Sequence, residues 1–214
     1  MKRVSYKTKK KQERGQGRGS NYIPYEKASE FNSTGTCSNI IDWKTGRHME
    51  LLSQGELAVF FLLRWDDNVL EIREQFPLDM EKVWRIADEE GIRISKNLNN
   101  RMTTDFLITL KDGSNKVYSV KDSKKVLDNK RIVEKLYLEK KYWEQEGVSY
   151  KLVFKEELNM TLVNNLRLVM EYYDEHKVHD AVSLIKHKIA NKKLVIDIEN
   201  EVLDFSNLTK LMNI

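Results

Sequence analysis

Four ionisable residues stand where the surrounding pattern calls for apolar ones. Asp105 lies inside Met102-Thr-Thr-Asp-Phe-Leu-Ile-Thr-Leu110, although aspartate is depleted from strands. Lys121 closes the next run, Val117-Tyr-Ser-Val-Lys121. Between the two sits Lys111-Asp112-Gly113-Ser114-Asn115, and Asp-Gly between apolar runs signals a hairpin. That hairpin brings Asp105 and Lys121 to one end of a sheet; a plain ion pair, worth little if exposed, is the alternative use of the two. Glu56 follows Ser53 at capping-box spacing, and a helix N-terminus stabilises a carboxylate without further help. At about 100° per residue, however, Glu56 shares a face with Phe60 and Leu63, where burial would demand a partner such as a metal cation. Glu139 shares the stripe of Ile132, Leu136 and Trp143, pointing toward the sheet or leaning inward to pair with a lysine.

Two or three carboxylates and a lysine converging from a helix and a hairpin suit metal-assisted phosphodiester hydrolysis. Oxygen donors match Mg²⁺ or Mn²⁺, which keep several waters. The metal would acidify an attacking water, and the lysine would hold or deprotonate that water or neutralise the phosphate.

The elements that must position these groups follow from the hydrophobic pattern. Gln54 to Trp65 predicts a helix, apolar on most sides and therefore buried. Val69 to Phe76 predicts a strand ended by Pro77, and Glu81 to Glu90 a helix closed by Gly91. Thr103 to Leu110 and Lys116 to Lys121 are the hairpin strands. Asn129 to Glu146 predicts a helix stopped by Gly147, Tyr150 to Phe154 a short strand, and the chain from Asn159 onward is largely helical. Turn chemistry marks Asn32-Ser33-Thr34-Gly35 and Lys44-Thr45-Gly46. The order indicates an α/β core with a mixed sheet and a small helical appendage.

Composition narrows the function classes. The chain has 214 residues, 40% of them hydrophobic and 33% charged. Its longest apolar run, Leu57 to Leu63, falls far short of the roughly 20 residues a bilayer span needs. No apolar signal region follows the basic start, and the single Cys37 excludes an internal disulfide or a multi-cysteine zinc site. A reducing cytoplasm, with no membrane, fits these features. His176, His179 and His187 sit among charged residues and indicate a solvated helix. No Gly-rich loop followed by Gly-Lys-Ser/Thr is present, which argues against ATP binding by the chain itself. Residues 1–20 carry eight Lys/Arg and one acid, +7 against a chain total of +4. Such an arm either neutralises phosphate or is a solvated tail. Residues 1–22 are thus expected to be a basic flexible arm, with Lys7, Lys9, Lys10, Lys11, Arg14 and Arg18 as candidate DNA contacts.

From about Gly15 to Phe154 the sequence resembles the TnsA family, endonuclease subunits of heteromeric transposases. The likeness is carried by Gly15-Gln-Gly-Arg-Gly19 with Tyr22-Ile-Pro-Tyr25, and by Lys44-Thr-Gly-Arg47. It is densest in Leu51-Leu-Ser-Gln-Gly-Glu-Leu-Ala-Val-Phe60 and Val69-Leu-Glu-Ile-Arg-Glu-Gln-Phe-Pro-Leu78. It continues in Thr104-Asp-Phe-Leu107, Val120-Lys121 and Glu134-Lys-Leu-Tyr-Leu-Glu-Lys-Lys-Tyr-Trp143. The resemblance implies a restriction-endonuclease-like catalytic domain over 23–156, a mixed sheet flanked by helices. It also implies a helical, winged-helix-like C-terminal region over 157–214.

The same resemblance implies a catalytic set of Glu56, Asp105 and Lys121, with Glu139 matching an acidic residue of the family's later helix. The family pattern has Gln or Glu two residues before the lysine, as a metal ligand. Ser119 stands there, so water or the Val120 carbonyl would join Glu56 and Asp105 as ligands. The implied activity is Mg²⁺-dependent cleavage of the 5′ ends of a transposon in double-stranded DNA, in a prokaryotic cytoplasm and on the nucleoid when active. A TnsB-like transposase would cut and join the 3′ ends, under a TnsC-like ATPase regulator. Two other readings stand beside it: a stand-alone restriction or repair endonuclease, and a DNA-bridging factor whose nuclease site has decayed, with Ser119 the first sign.

Overall fold

In the computed structural model, which describes residues 4–31 and 37–211, the basic N-terminal stretch is folded rather than free. Ser5 Oγ accepts the Thr8 N–H at 3.3 Å and starts helix α1 (Tyr6–Lys11). Lys9 is 2% exposed and pairs with Glu26 at 2.5 Å and Glu30 at 3.7 Å; Arg14 pairs with Glu30 at 2.6 Å. Charges leave water only when paired, so these acids recruit both cations into the interior. This corrects the expectation that Lys9 and Arg14 contact DNA, whereas Lys7, Lys10, Lys11 and Arg18 are exposed. The charge count over 1–20 missed this because the compensating acids lie further along the chain. Lys2, Arg3 and the turn read at Asn32-Ser33-Thr34-Gly35 lie outside the described residues.

A small hairpin follows, β1 (Ser38–Ile41) and β2 (His48–Leu51), antiparallel and turned at Lys44-Thr45-Gly46. Asp42 organises the turn, its Oδ2 accepting Thr45 Oγ1 at 2.5 Å, and pairs with the fully buried Arg64. Arg64 belongs to α2 (Gln54–Trp65), so this ion pair ties hairpin to helix. Next come β3 (Val69–Pro77), α3 (Met80–Glu89, capped by Asp79), β4 (Thr103–Leu110) and β5 (Asn115–Lys121). The turn before β5 places Gly113 at φ 83°, the left-handed region glycine enters without cost. Helix α4 (Lys130–Gln145, capped by Asn129) then crosses over to β6 (Ser149–Phe154).

The main sheet has the order β3-β4-β5-β6, antiparallel except for the parallel β5–β6 pair joined through α4. Both faces are covered, which is why β4 reads Phe106-Leu107-Ile108 without alternation. Phe106, Ile108 and Val120 pack with Phe60 and Leu63 of α2, while Leu107 and Val117 pack with Val83 of α3 and with Leu138 and Trp143 of α4. Helices α5 (Met160–Val169) and α6 (Ala181–Ala190) put Leu166, Val169, Ile185 and Ile189 into the α2 core, and α7 (Phe205–Leu211) follows. The C-terminal helices therefore share a core with α2 and the main sheet. No strand occurs among the described residues after 156, so they contain no wing. No helix among them is long and apolar enough to cross a membrane.

The edge of β3 is covered by the N-terminal segment, which blunts an otherwise open strand. Gly19 N–H donates to Glu71 at 2.6 Å, Tyr22 Oη to the Glu74 carbonyl at 2.9 Å, and Tyr25 N–H to the Gln75 carbonyl at 3.3 Å. A Cβ on Gly15 would lie 2.2 Å from Pro77 Cγ, so only glycine permits this approach.

Removing Lys9 takes away the ammonium 2.5 Å from the buried Glu26 and leaves Glu30 with Arg14 alone. Lys9→Ala is expected to cost about 3 kcal/mol in urea unfolding, against under about 0.5 kcal/mol for the exposed neighbour Lys10→Ala. Equal, small effects would contradict the buried ion pairs.

Candidate active site

The β4–β5 ladder runs from Thr109–Asn115 to Phe106–Tyr118. Beyond it the Asp105 carboxylate takes the place of a backbone partner: Oδ2 accepts the Val120 N–H at 2.6 Å. The same oxygen lies 3.4 Å from Lys121 Nζ and 3.5 Å from Ser119 Oγ. Lys121 also donates to the Val120 carbonyl at 2.7 Å. The hairpin thus juxtaposes Asp105 and Lys121 as its turn signal implied. Asp105 Oδ1 accepts no hydrogen bond among the described residues.

Glu56 reaches this group from the first turn of α2. Ser53 Oγ accepts the Glu56 N–H at 3.0 Å and caps the helix. The Glu56 carboxylate turns back to accept Leu52 N–H at 2.8 Å and Ser53 Oγ at 3.0 Å. Capping and site membership are therefore both true of it. Gly55 packs the start of α2 closely against β5, where a Cβ would sit 3.1 Å from Val120 Cγ1. Burial first, and the Asp105 charge second, raise the Glu56 pKa to about 8.

Glu139 arrives from α4, 5% exposed, with Thr104 Oγ1 donating to its Oε1. Burial and then the Asp105 charge raise it to about 7. Burial alone would lower Lys121, but Asp105, Glu139 and Glu56 together hold it above its ordinary value, so it is a cation at neutral pH. Ser119 is 1% exposed. It lies beside Glu139 and the buried hydroxyl of Tyr150.

Sequence reasoning missed Gln75. It is 2% exposed on the strand beside β4, with φ 49°, a left-handed backbone that costs a non-glycine residue about 1 kcal/mol or more. The kink aims its amide inward: Nε2 donates to Glu56 Oε2 at 3.0 Å and Oε1 accepts Thr103 Oγ1 at 3.3 Å. Its carbonyl is held by Tyr25 N–H. Glu71, Arg73 and Glu74 on the same strand are polar too, so residue type does not single Gln75 out.

Among the described residues no three His, Cys, Asp or Glu side chains close into a ligand cage for a divalent cation. A Glu56 carboxylate whose proton affinity the Asp105 charge raises, beside an Asp105 with a free oxygen, is nonetheless what Mg²⁺ needs, because it retains waters and takes one or two carboxylates. The residues fit. The basic stretch 7–18 splits: Lys9 and Arg14 are buried in ion pairs on the β3 side, and none of its cations makes a hydrogen bond or ion pair with the four-residue cluster.

A four-stranded mixed sheet flanked by helices, with its acids and lysine at one end of the central hairpin, is a restriction-endonuclease-like domain. Residues 66–155 match the family model described as TnsA-like endonuclease N terminal. The chain is also 38% identical over 159 residues to the Transposon Tn7 transposition protein TnsA of Escherichia coli, covering 73% of this chain and 58% of that protein. The chain is thus similar to TnsA over most of its own length, and it spans somewhat over half the length of that relative.

The carboxyl pair makes stability depend on pH with a definite sign. Unfolded glutamates release protons near 4.5, while folded Glu56 and Glu139 hold theirs to about 8 and about 7. Between those values the folded state binds more protons, so stability falls as pH rises. In EDTA the melting temperature is expected to drop from about pH 5 to about pH 8, and Glu56→Gln to flatten the upper part of that fall. A melting temperature that is level or rising would contradict the buried pair.

Proposed function

We propose that this chain is the DNA endonuclease subunit of a cut-and-paste transposase, hydrolysing phosphodiester bonds at the 5′ ends of the transposon. The observation that carries the reading is the convergence of Glu56, Asp105 and Lys121 where β4 and β5 part. The likeness to TnsA supports the class of substrate and reaction.

Glu56 and Asp105 would hold Mg²⁺ or Mn²⁺, with the Val120 carbonyl beside them. When bound, the cation supplies Lewis-acid stabilisation of charge on the phosphate and makes a water more acidic. The protein's own groups do the rest. Lys121 is a fixed ammonium against the scissile phosphate, not a base, because its surroundings favour the charged form. Gln75 and Leu52 hold the Glu56 carboxylate in one orientation by hydrogen bonds to Oε2. Glu139, titrating at about 7, takes up or releases a proton near neutral pH. A TnsB-like transposase would supply end recognition and 3′-strand chemistry, and a TnsC-like ATPase the regulation, acting on double-stranded DNA.

Asp105 also satisfies the Val120 N–H, so alanine would confuse folding with chemistry. Asp105→Asn keeps an acceptor and removes the charge. On strand-labelled transposon-end duplex with the partner transposase, this variant is expected to lose 5′-strand cleavage by about 100-fold or more while retaining its melting temperature. Cleavage near the wild-type rate would remove Asp105 from the chemistry.

A further inference from the structure

A cleft of about 470 Å³ opens directly off the cluster, with Lys121 and Glu139 in its wall. It runs between the first half of α4 and the loop preceding β4. Arg101, Arg131 and Lys135 line it with Lys121, and Glu139 is the one acid in the wall. Ser95, Asn100 and Thr103 add neutral polar groups, while Met102, Ile132 and Leu136 make an apolar floor.

Two of the cations are held in place. Arg101 Nε donates to the Leu78 carbonyl at 2.8 Å with its guanidinium 5.5 Å from the Tyr25 ring centroid, and Arg131 donates to the Arg93 carbonyl at 2.5 Å. Lys135 is exposed and makes no ion pair among the described residues. Glu134, one turn into α4, pairs with Arg131 at 3.1 Å and lies 4.0 Å from Lys130, so Arg131 is shared between that acid and the cleft, while Lys135 is not.

We infer that this cleft seats one strand of the nucleic acid next to the scissile phosphate. Its flanking phosphates would lie on Arg101, Arg131 and Lys135, and a sugar or base on the Ile132–Leu136 floor. A cleft of this volume is the size of a small-molecule site, too narrow for a duplex but suited to a nucleotide of one strand. Guanidinium and ammonium groups give phosphate contacts that position without reading sequence. The inference rests on the endonuclease reading and relocates the DNA contacts from the N-terminal stretch to α4 and the loop before β4.

The test is fluorescence anisotropy of a labelled DNA duplex in EDTA, across a salt series, so that cleavage does not intervene. Arg131 and Lys135 are surface residues, so Arg131→Glu with Lys135→Glu should lower the melting temperature only slightly. Affinity is expected to fall roughly tenfold or more, and the salt slope to flatten by about 0.9 for each phosphate no longer neutralised. Lys135→Arg should bind like wild type, and cleavage should fall in parallel with binding. Reversing Lys7, Lys10 and Lys11 is the counter-arm. If that variant lost affinity and slope while the cleft variant kept both, the cleft assignment would be overturned. If the wild-type chain cleaves DNA and the cleft variant matches it in binding and rate, the cleft alone is wrong. If the wild-type chain with its partner neither binds nor cleaves DNA, the endonuclease reading falls and takes the cleft with it.

Discussion

A carboxylate placed out of water against a second carboxylate is the constraint on which this structure turns. Glu56 is 5% exposed and faces Asp105, an arrangement that costs free energy in the absence of a counter-charge. A chain selected only to fold would put an apolar residue at that position of α2. The surrounding structure opposes the cost in three ways. Backbone N–H groups at the start of α2 and at Val120 donate to the two acids. Lys121 lies beside Asp105. Gln75 donates a further hydrogen bond from the neighbouring strand. None of these neutralises the pair as a divalent cation would.

The rest of the fold can be understood as what keeps those groups in register. The N-terminal segment docks on β3 through backbone contacts around Glu74 and Gln75, and its own position depends on Lys9 and Arg14 being buried against Glu26 and Glu30. It thereby supports the left-handed kink that turns Gln75 toward Glu56. On the other side, α5 and α6 fill the core behind α2 and fix the helix whose first turn carries Glu56. The N-terminal segment thus acts on the site through β3, and the C-terminal helices through α2.

Much of this was legible beforehand, for identifiable reasons. Asp112-Gly113 between apolar runs located the hairpin, and the hairpin paired Asp105 with Lys121. Helical periodicity turned Glu139 toward the sheet, where Thr104 meets it. Other features left no such trace. The φ of Gln75 is set by neighbours distant in sequence, and residue type does not report it. Charge counting suggested a free arm because Glu26 and Glu30 pair with it only in three dimensions. Strands β1 and β2 are four residues each and include Asn39, His48 and Glu50, so their alternation is weak. Helical periodicity after Asn159 marked apolar faces without saying that α2 would cover them.

Buried Glu56 and half-buried Asp105 form a charge-frustrated pair, and we propose that they share a cation. Carbon-13 NMR titration of side-chain carboxyls, with Glu56 assigned from the Glu56→Gln spectrum, tests it most directly. The Glu56 carboxyl is expected to titrate at about 8 in EDTA and to move to markedly lower pH when Mg²⁺ is added. A Glu56 carboxyl that titrates near 4.5 without metal, or one that Mg²⁺ leaves unmoved, would contradict it.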